Sequence, residues 1–158
     1  MNQRQTYIAI LFLMIACSIN FGCSTCKLQN ENPKIDITTS EMSIWLDLMP
    51  GGPARFHFAG AVQIKNNTQD EVENFELSEV VVKSDDLILY RISPESDFPL
   101  KIKLEADGED ELKFYSPQNI KAGPQLNKID SLNVILKFST KQNERSFDAG
   151  KFKLDRTY

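Results

Sequence analysis

The sequence predicts an all-β fold, an antiparallel β-sandwich of about seven to nine short strands, on three observations. From Lys34 onward apolar residues recur with a period of two, and clusters of Gly, Pro, Asn, Asp and Ser separate the runs. No stretch carries a sustained helical period. At 158 residues and 41% hydrophobic, the chain suits one packed domain and is too apolar to be wholly disordered.

Met42, Ile44, Leu46 and Leu48 form the first alternating run, with Trp45 out of phase. The clearest strand follows. Phe56, Phe58, Gly60, Val62 and Ile64 point one way, while Arg55, His57, Ala59, Ala61, Gln63 and Lys65 point the other. Residues 75–83, 87–92 and 111–115 are shorter candidates. Phe98, Leu100, Ile102 and Leu104 alternate with Lys101, Lys103 and Glu105. Leu132, Val134, Leu136 and Phe138 alternate with Asn133 and Lys137, and Phe152 and Leu154 close the chain. Residues 117–128 are the best place for a short helix or an irregular stretch. Turn chemistry marks 50–53, 66–70, 84–86, 107–110, 122–124 and 141–143. Strands in this number and spacing correspond to an immunoglobulin-like (Ig-like) sandwich. The correspondence is architectural, because all three cysteines precede Lys27 and the Cys…Trp…Cys spacing is missing.

The amino terminus differs in kind. Arg4 precedes the apolar run 7–16, which has the proportions of a signal-peptide core and is too short for a spanning helix. Met14-Ile15-Ala16-Cys17 resembles a bacterial lipobox. Gly22-Cys23-Ser24 resembles one as well, although Asn20 and Phe21 fit its preceding positions less well. The resemblance implies a bacterial lipoprotein, cleaved before Cys17 or Cys23, with acyl chains such as palmitate on that cysteine. Several chains on one residue make a stable anchor. Ser follows both cysteines and neither is followed by Asp, which in this family implies the outer membrane of a two-membrane cell. The chain thus divides into a signal peptide (1–22), a polar tether (23–33) and the sandwich (34–158). Cys23 and Cys26 form a Cys-x-x-Cys pair if Cys17 is lipidated, but the polar residues after them read as linker.

Within the domain, Trp45 beside Met49-Pro50-Gly51-Gly52-Pro53 is the leading candidate for a binding surface. An outward Trp next to a stiff Pro-Gly loop would anchor an envelope protein or a glycan, whereas a packed Trp would cover a sheet edge or lie under the loop. His57 with Met42 and Met49 raises a soft copper site, against which Met42 reads as core and His57 as a solvated strand residue. Asp107-Gly108-Glu109-Asp110-Glu111 is the densest acidic run. Its spacing is not that of a Ca²⁺ loop, and such a turn can protect a strand edge. Asn66-Asn67-Thr68 matches a glycosylation sequon but reads as turn chemistry in a bacterial chain.

A net charge of −4 and dispersed cations argue against nucleic acid as a partner. No nucleophile elbow, zinc-protease motif or phosphate loop occurs, so no catalytic residue and no cofactor is assigned. The expected protein is a lipid-anchored envelope protein with a non-catalytic Ig-like binding or structural module. The alternatives are a small copper-handling protein and an inhibitor that inserts a loop into a hydrolase.

Overall fold

A computed structural model describes residues 35–141 and 143–158. The signal, lipobox and tether positions, including Cys17, Cys23 and Cys26, lie outside the described residues. The chain divides between Asn32 and Pro33 into two units, and every described residue belongs to the second.

Among the described residues eight strands and one 3-10 turn are formed. They are β1 (Ile35–Asp47), β2 (Arg55–Asn66), β3 (Val72–Ser84), β4 (Leu87–Ile92), β5 (Lys101–Leu104), β6 (Glu109–Tyr115), the turn Pro124–Lys128, β7 (Ser131–Ser139) and β8 (Glu144–Thr157). Their lateral order is β4-β3-β7-β8-β1-β2-β6, with β5 also on β3. One layer holds β1, β2 and β6; the other holds β3, β4, β5 and β7. β8 serves both. It runs antiparallel to β7 up to Lys153 and parallel to β1 from Leu154 to Thr157. The Ig-like sandwich is therefore mixed rather than antiparallel throughout, because β1 and β8 climb toward the same end at the seam that joins the layers.

Three long strands change phase, β1 and β8 once and β3 twice, the first β3 shift falling between Val72 and Phe75, where Asn74 has φ +58°. A bulge adds one residue to a strand, and a one-residue shift moves every later side chain to the opposite face. In β1 the extra residue is Ser40, so Ile35 and Ile37 share the inner face with Met42, Ile44 and Leu46. At the second β3 shift it is Ser78, whose hydroxyl donates to Lys137 O at 3.1 Å; Phe75 and Leu77 precede it, Val80 and Val82 follow. In β8 it is Ala149, next to Gly150 at φ +111°, a left-handed conformation that glycine adopts freely. Phe147 before it and Phe152 and Leu154 after it all pack on the core. The first strand accordingly begins at Ile35, seven residues before Met42, the first residue of the alternating run.

The core lies between the layers. Phe56, Phe58, Val62 and Ile64 of β2 meet Phe75, Leu77, Val80 and Val82 of β3 and Leu132, Val134, Leu136 and Phe138 of β7. Phe56 stacks on Tyr90 of β4 with centroids 4.7 Å apart, and Phe75 stacks on Phe138 at 5.0 Å. Gly60 is the one inner position of β2 without a side chain. A Cβ there would come within 2.7 Å of Met42 Sδ and 2.9 Å of Phe114 Cζ. Phe98 departs from its expected role. It lies before β5 and is 73% exposed, because Pro99 follows it and pairing with β3 is confined to β5 and the Leu100 carbonyl.

Both ends are closed by polar networks. At the end where β1 begins, buried Asn66 donates from Nδ2 to Asp70 O (2.8 Å) and Glu105 O (2.9 Å). Its Oδ1 accepts from the main-chain N–H and the hydroxyl of Thr68. Asn66 thus ties the β2–β3 and β5–β6 turns together, and a glycan on its nitrogen would break this arrangement. The sequon is turn chemistry. At the other end buried Leu126 plugs the space between the layers. The Arg156 guanidinium donates to the carbonyls of Leu126, Asn127 and Ile129, which caps the 3-10 turn.

On the outer face of the β3–β7 layer a charge ladder crosses four strands. Arg91 pairs with Glu79 (2.9 Å), Glu79 with Lys137 (3.2 Å), and Lys137 with Glu144 (2.9 Å). Burial raises the Glu79 pKa, but hydrogen bonds from Lys137 and Arg91 outweigh it and hold the carboxyl below its ordinary 4.5. A lowered pKa makes the ionised form stabilising above the unfolded-state value, and that stability is lost as pH falls through the folded value. Glu79→Gln should therefore cost up to about 1 kcal/mol at neutral pH, the scale of a partly exposed pair. Urea melts at stepped pH should show a constant gap between parent and variant above pH 4.5 that closes at lower pH. A gap independent of pH would contradict this assignment.

Candidate functional site

The Pro-Gly loop stands at the end of the sandwich opposite the start of β1. Since β1 spans 13 residues, the two ends are separated by about 40 Å at roughly 3.3 Å per residue. Both shoulders of the loop are pinned. Leu48 N–H donates to Thr157 O (2.8 Å), and Ala54 O accepts from Ala122 N–H (2.9 Å). Met49 N–H donates to Asp47 Oδ1 at 3.0 Å. Between the shoulders Met49 is 61% exposed, Pro50, Gly51 and Gly52 are exposed, and Gly51 has φ +99°. No heavy atom lies within 4 Å of where a side chain on Gly51 or Gly52 would begin. The loop is a fixed projection with open space around it.

Trp45 lies on the outer face of β1, out of phase with the core as the periodicity predicts. It is half-buried, because His57 sits opposite it on β2 and the rings stack at 5.4 Å with 19° between their planes. The expected site is therefore split between two features. Trp45 belongs to a Trp–His platform on the sheet face, while Met49 to Gly52 form the tip of the pole above it.

The copper trio is not assembled. Met42 points into the core toward Gly60, His57 stacks on the outer face of the same sheet, and Met49 is on the loop. Among the described residues no group of three His, Cys, Asp or Glu is placed to hold a metal ion. Cys23 and Cys26 lie outside the described residues.

The acidic run is an edge device. Asp107, at φ +52°, turns the chain from β5 into β6, the free edge of its layer. Asp110 Oδ1 accepts from Glu111 N–H (2.8 Å), and the Ser96 hydroxyl donates to Lys113 O (2.6 Å). Glu95 and Tyr115 exchange both main-chain hydrogen bonds at 2.8 Å. On the outward side of β6 the Glu111 N–H, the Lys113 carbonyl and both main-chain groups of Tyr115 are thus occupied by the chain itself.

Sequence reasoning missed a groove of about 420 Å³ at the open side of the sandwich, between β5 and β6. Phe98, Pro99, Ile102 and Leu112 supply its apolar wall, and Lys101, Lys103, Asp110 and Lys113 its polar rim. The signal was Phe98-Pro99 in a polar segment, which the alternation with Leu100 and Ile102 disguised as strand. Beside it Tyr115 donates to Asp97 Oδ1 (3.1 Å), and this bond, then burial, raises the phenol pKa. Hydrogen bonds to Glu71 and then Glu105 raise that of Lys103. These shifts are accounted for by local pairs and are not aimed at a shared point.

Trp45 is the only tryptophan, so it reports the platform directly. His57→Ala should raise acrylamide quenching of Trp45 and lower stability by about 0.5–1.5 kcal/mol, the scale of an aromatic pair. Quenching equal to that of the parent would mean that His57 does not cover the indole. No protein-family model and no curated protein matches this chain, so the reading of the site rests on its own geometry.

Proposed function

We propose that the protein is a lipid-anchored component of a bacterial cell envelope whose Ig-like sandwich is a non-catalytic binding or structural module. The observation that supports this best is the polarity of the domain. The chain enters β1 at one end, and the pinned loop 49–52 projects from the other, about 40 Å away along a strand of 13 residues. A tether from the lipobox cysteine would therefore hold the Asn66 end toward the bilayer and present the loop and Trp45 outward. The outer membrane is the proposed site of anchoring, and an envelope protein or a glycan the proposed partner. The same rigid loop fits the second reading, insertion into a hydrolase, since a loop held at both shoulders loses little entropy on docking.

Cell fractionation tests the anchor. Cys17→Ala combined with Cys23→Ala should release the protein from membranes, and retention of the double variant with a cleaved signal would overturn the lipoprotein reading. Photo-crosslinking in intact cells tests the display. A photoreactive residue at Met49 should give adducts and one at Gln69 should not; adducts from Gln69 alone would overturn it.

A further inference from the structure

Three strands have a free edge, β6 in one layer and β4 and the short β5, both on β3, in the other, and they differ. β6 is guarded, as described above. β4, the longer of the two edge strands on β3, reads Leu87-Ile88-Leu89-Tyr90-Arg91-Ile92 and carries no acid. Leu87 is 65% and Ile88 42% exposed, and the single cation, Arg91, is held by Glu79 at 2.9 Å. Beyond the pairing with β3, no main-chain group of residues 87–92 is bonded to another described residue. The edge bulges at Leu89, where Val82 pairs with Tyr90 and Lys83 with Ile88, and its unsatisfied outward N–H and C=O groups are a template for one more strand.

We propose that β4 is a contact between two copies of this chain, paired antiparallel about a two-fold axis. Charge supports a copy as the occupant. In registers centred on Leu89, or between Leu89 and Tyr90, Arg91 faces Leu87 or Ile88 of the second copy and no like charges meet. Self-pairing of β6 about Glu111 would instead set that carboxylate against its own copy. Closure supports it too. With β6 guarded, and β5 only four residues long and carrying Lys101 and Lys103, β4 is the edge left open, so pairing ends at two and does not run on into a fibre.

The position of β4 adds a geometric consequence. The β3–β4 turn is at the loop end, because β3 runs antiparallel to β7 and β7 antiparallel to the β8 segment that ends beside that loop. Two copies paired through β4 overlap only in their loop-end halves, with the β1 entry points facing away from each other. On the lipid-anchored reading, on which this consequence alone rests, such a pair joins facing membranes and not neighbours on one surface.

Sedimentation velocity on the chain from Lys27 onward tests the pairing without the anchor, since the core cluster lies wholly within the second unit. A reversible dimer should grow through the micromolar range, and hydrogen exchange at β4 amides should slow as it forms. Leu87→Lys with Ile88→Lys, at two exposed positions, should abolish the dimer and leave the circular dichroism unchanged. A monomer throughout that range, or a dimer that survives the double substitution, overturns the proposal and leaves the edge to a strand of another protein. Because no lipid is present, this failure is independent of the fractionation result.

Discussion

β8 is the strand on which the rest of the structure depends. Its first ten residues complete the β7 side of one layer, and its last four hydrogen-bond in parallel to β1 of the other. This dual pairing joins the two layers into one closed side, and the bulge at Ala149 with Gly150 makes it workable. Without the extra residue, Phe147 and Phe152 would fall on opposite faces of a regular strand. With it, both reach the same core. The carboxy-terminal stretch then supplies the Arg156 cap on the 3-10 turn and the Thr157 carbonyl that pins the loop. The candidate surface is thus held by the strand that closes the sandwich.

Most of the fold was legible in the alternation of side chains. β2 and β7 contain no phase change and were read from the first inner residue to the last. β1 and β8, whose first halves the reading dropped, both contain a bulge. A bulge leaves Ile35 and Ile37 at odd positions and Met42, Ile44 and Leu46 at even ones, so a strict period-two reading drops one set. Phe98 failed in the opposite sense. It kept the period, but the strand had already ended at the proline after it. Local spacing says which face a side chain takes only where pairing continues, and pairing is a non-local property.

The site was legible in part. That Trp45 faces outward followed from its phase, and that residues 50–53 form a turn followed from their composition. The stacking of His57 on Trp45 depends on the β1–β2 register, which the loop length between them sets and the sequence does not show. The same register separates Met42 from His57 by the thickness of a sheet. The groove beside Phe98 and the contrast between the β4 and β6 edges both required the strand order. In each case the missing information was which strands are neighbours.

In the proposed arrangement one end of the sandwich faces the bilayer and the other faces outward. The most direct measurement places a fluorophore at Gln69 or at Gly52 of the full chain, held by the proposed lipid anchor in vesicles whose headgroups carry a nitroxide. The account predicts strong quenching at Gln69 and only background quenching at Gly52, on the far side of a strand of 13 residues. Equal quenching at the two positions, or stronger quenching at Gly52, would contradict it.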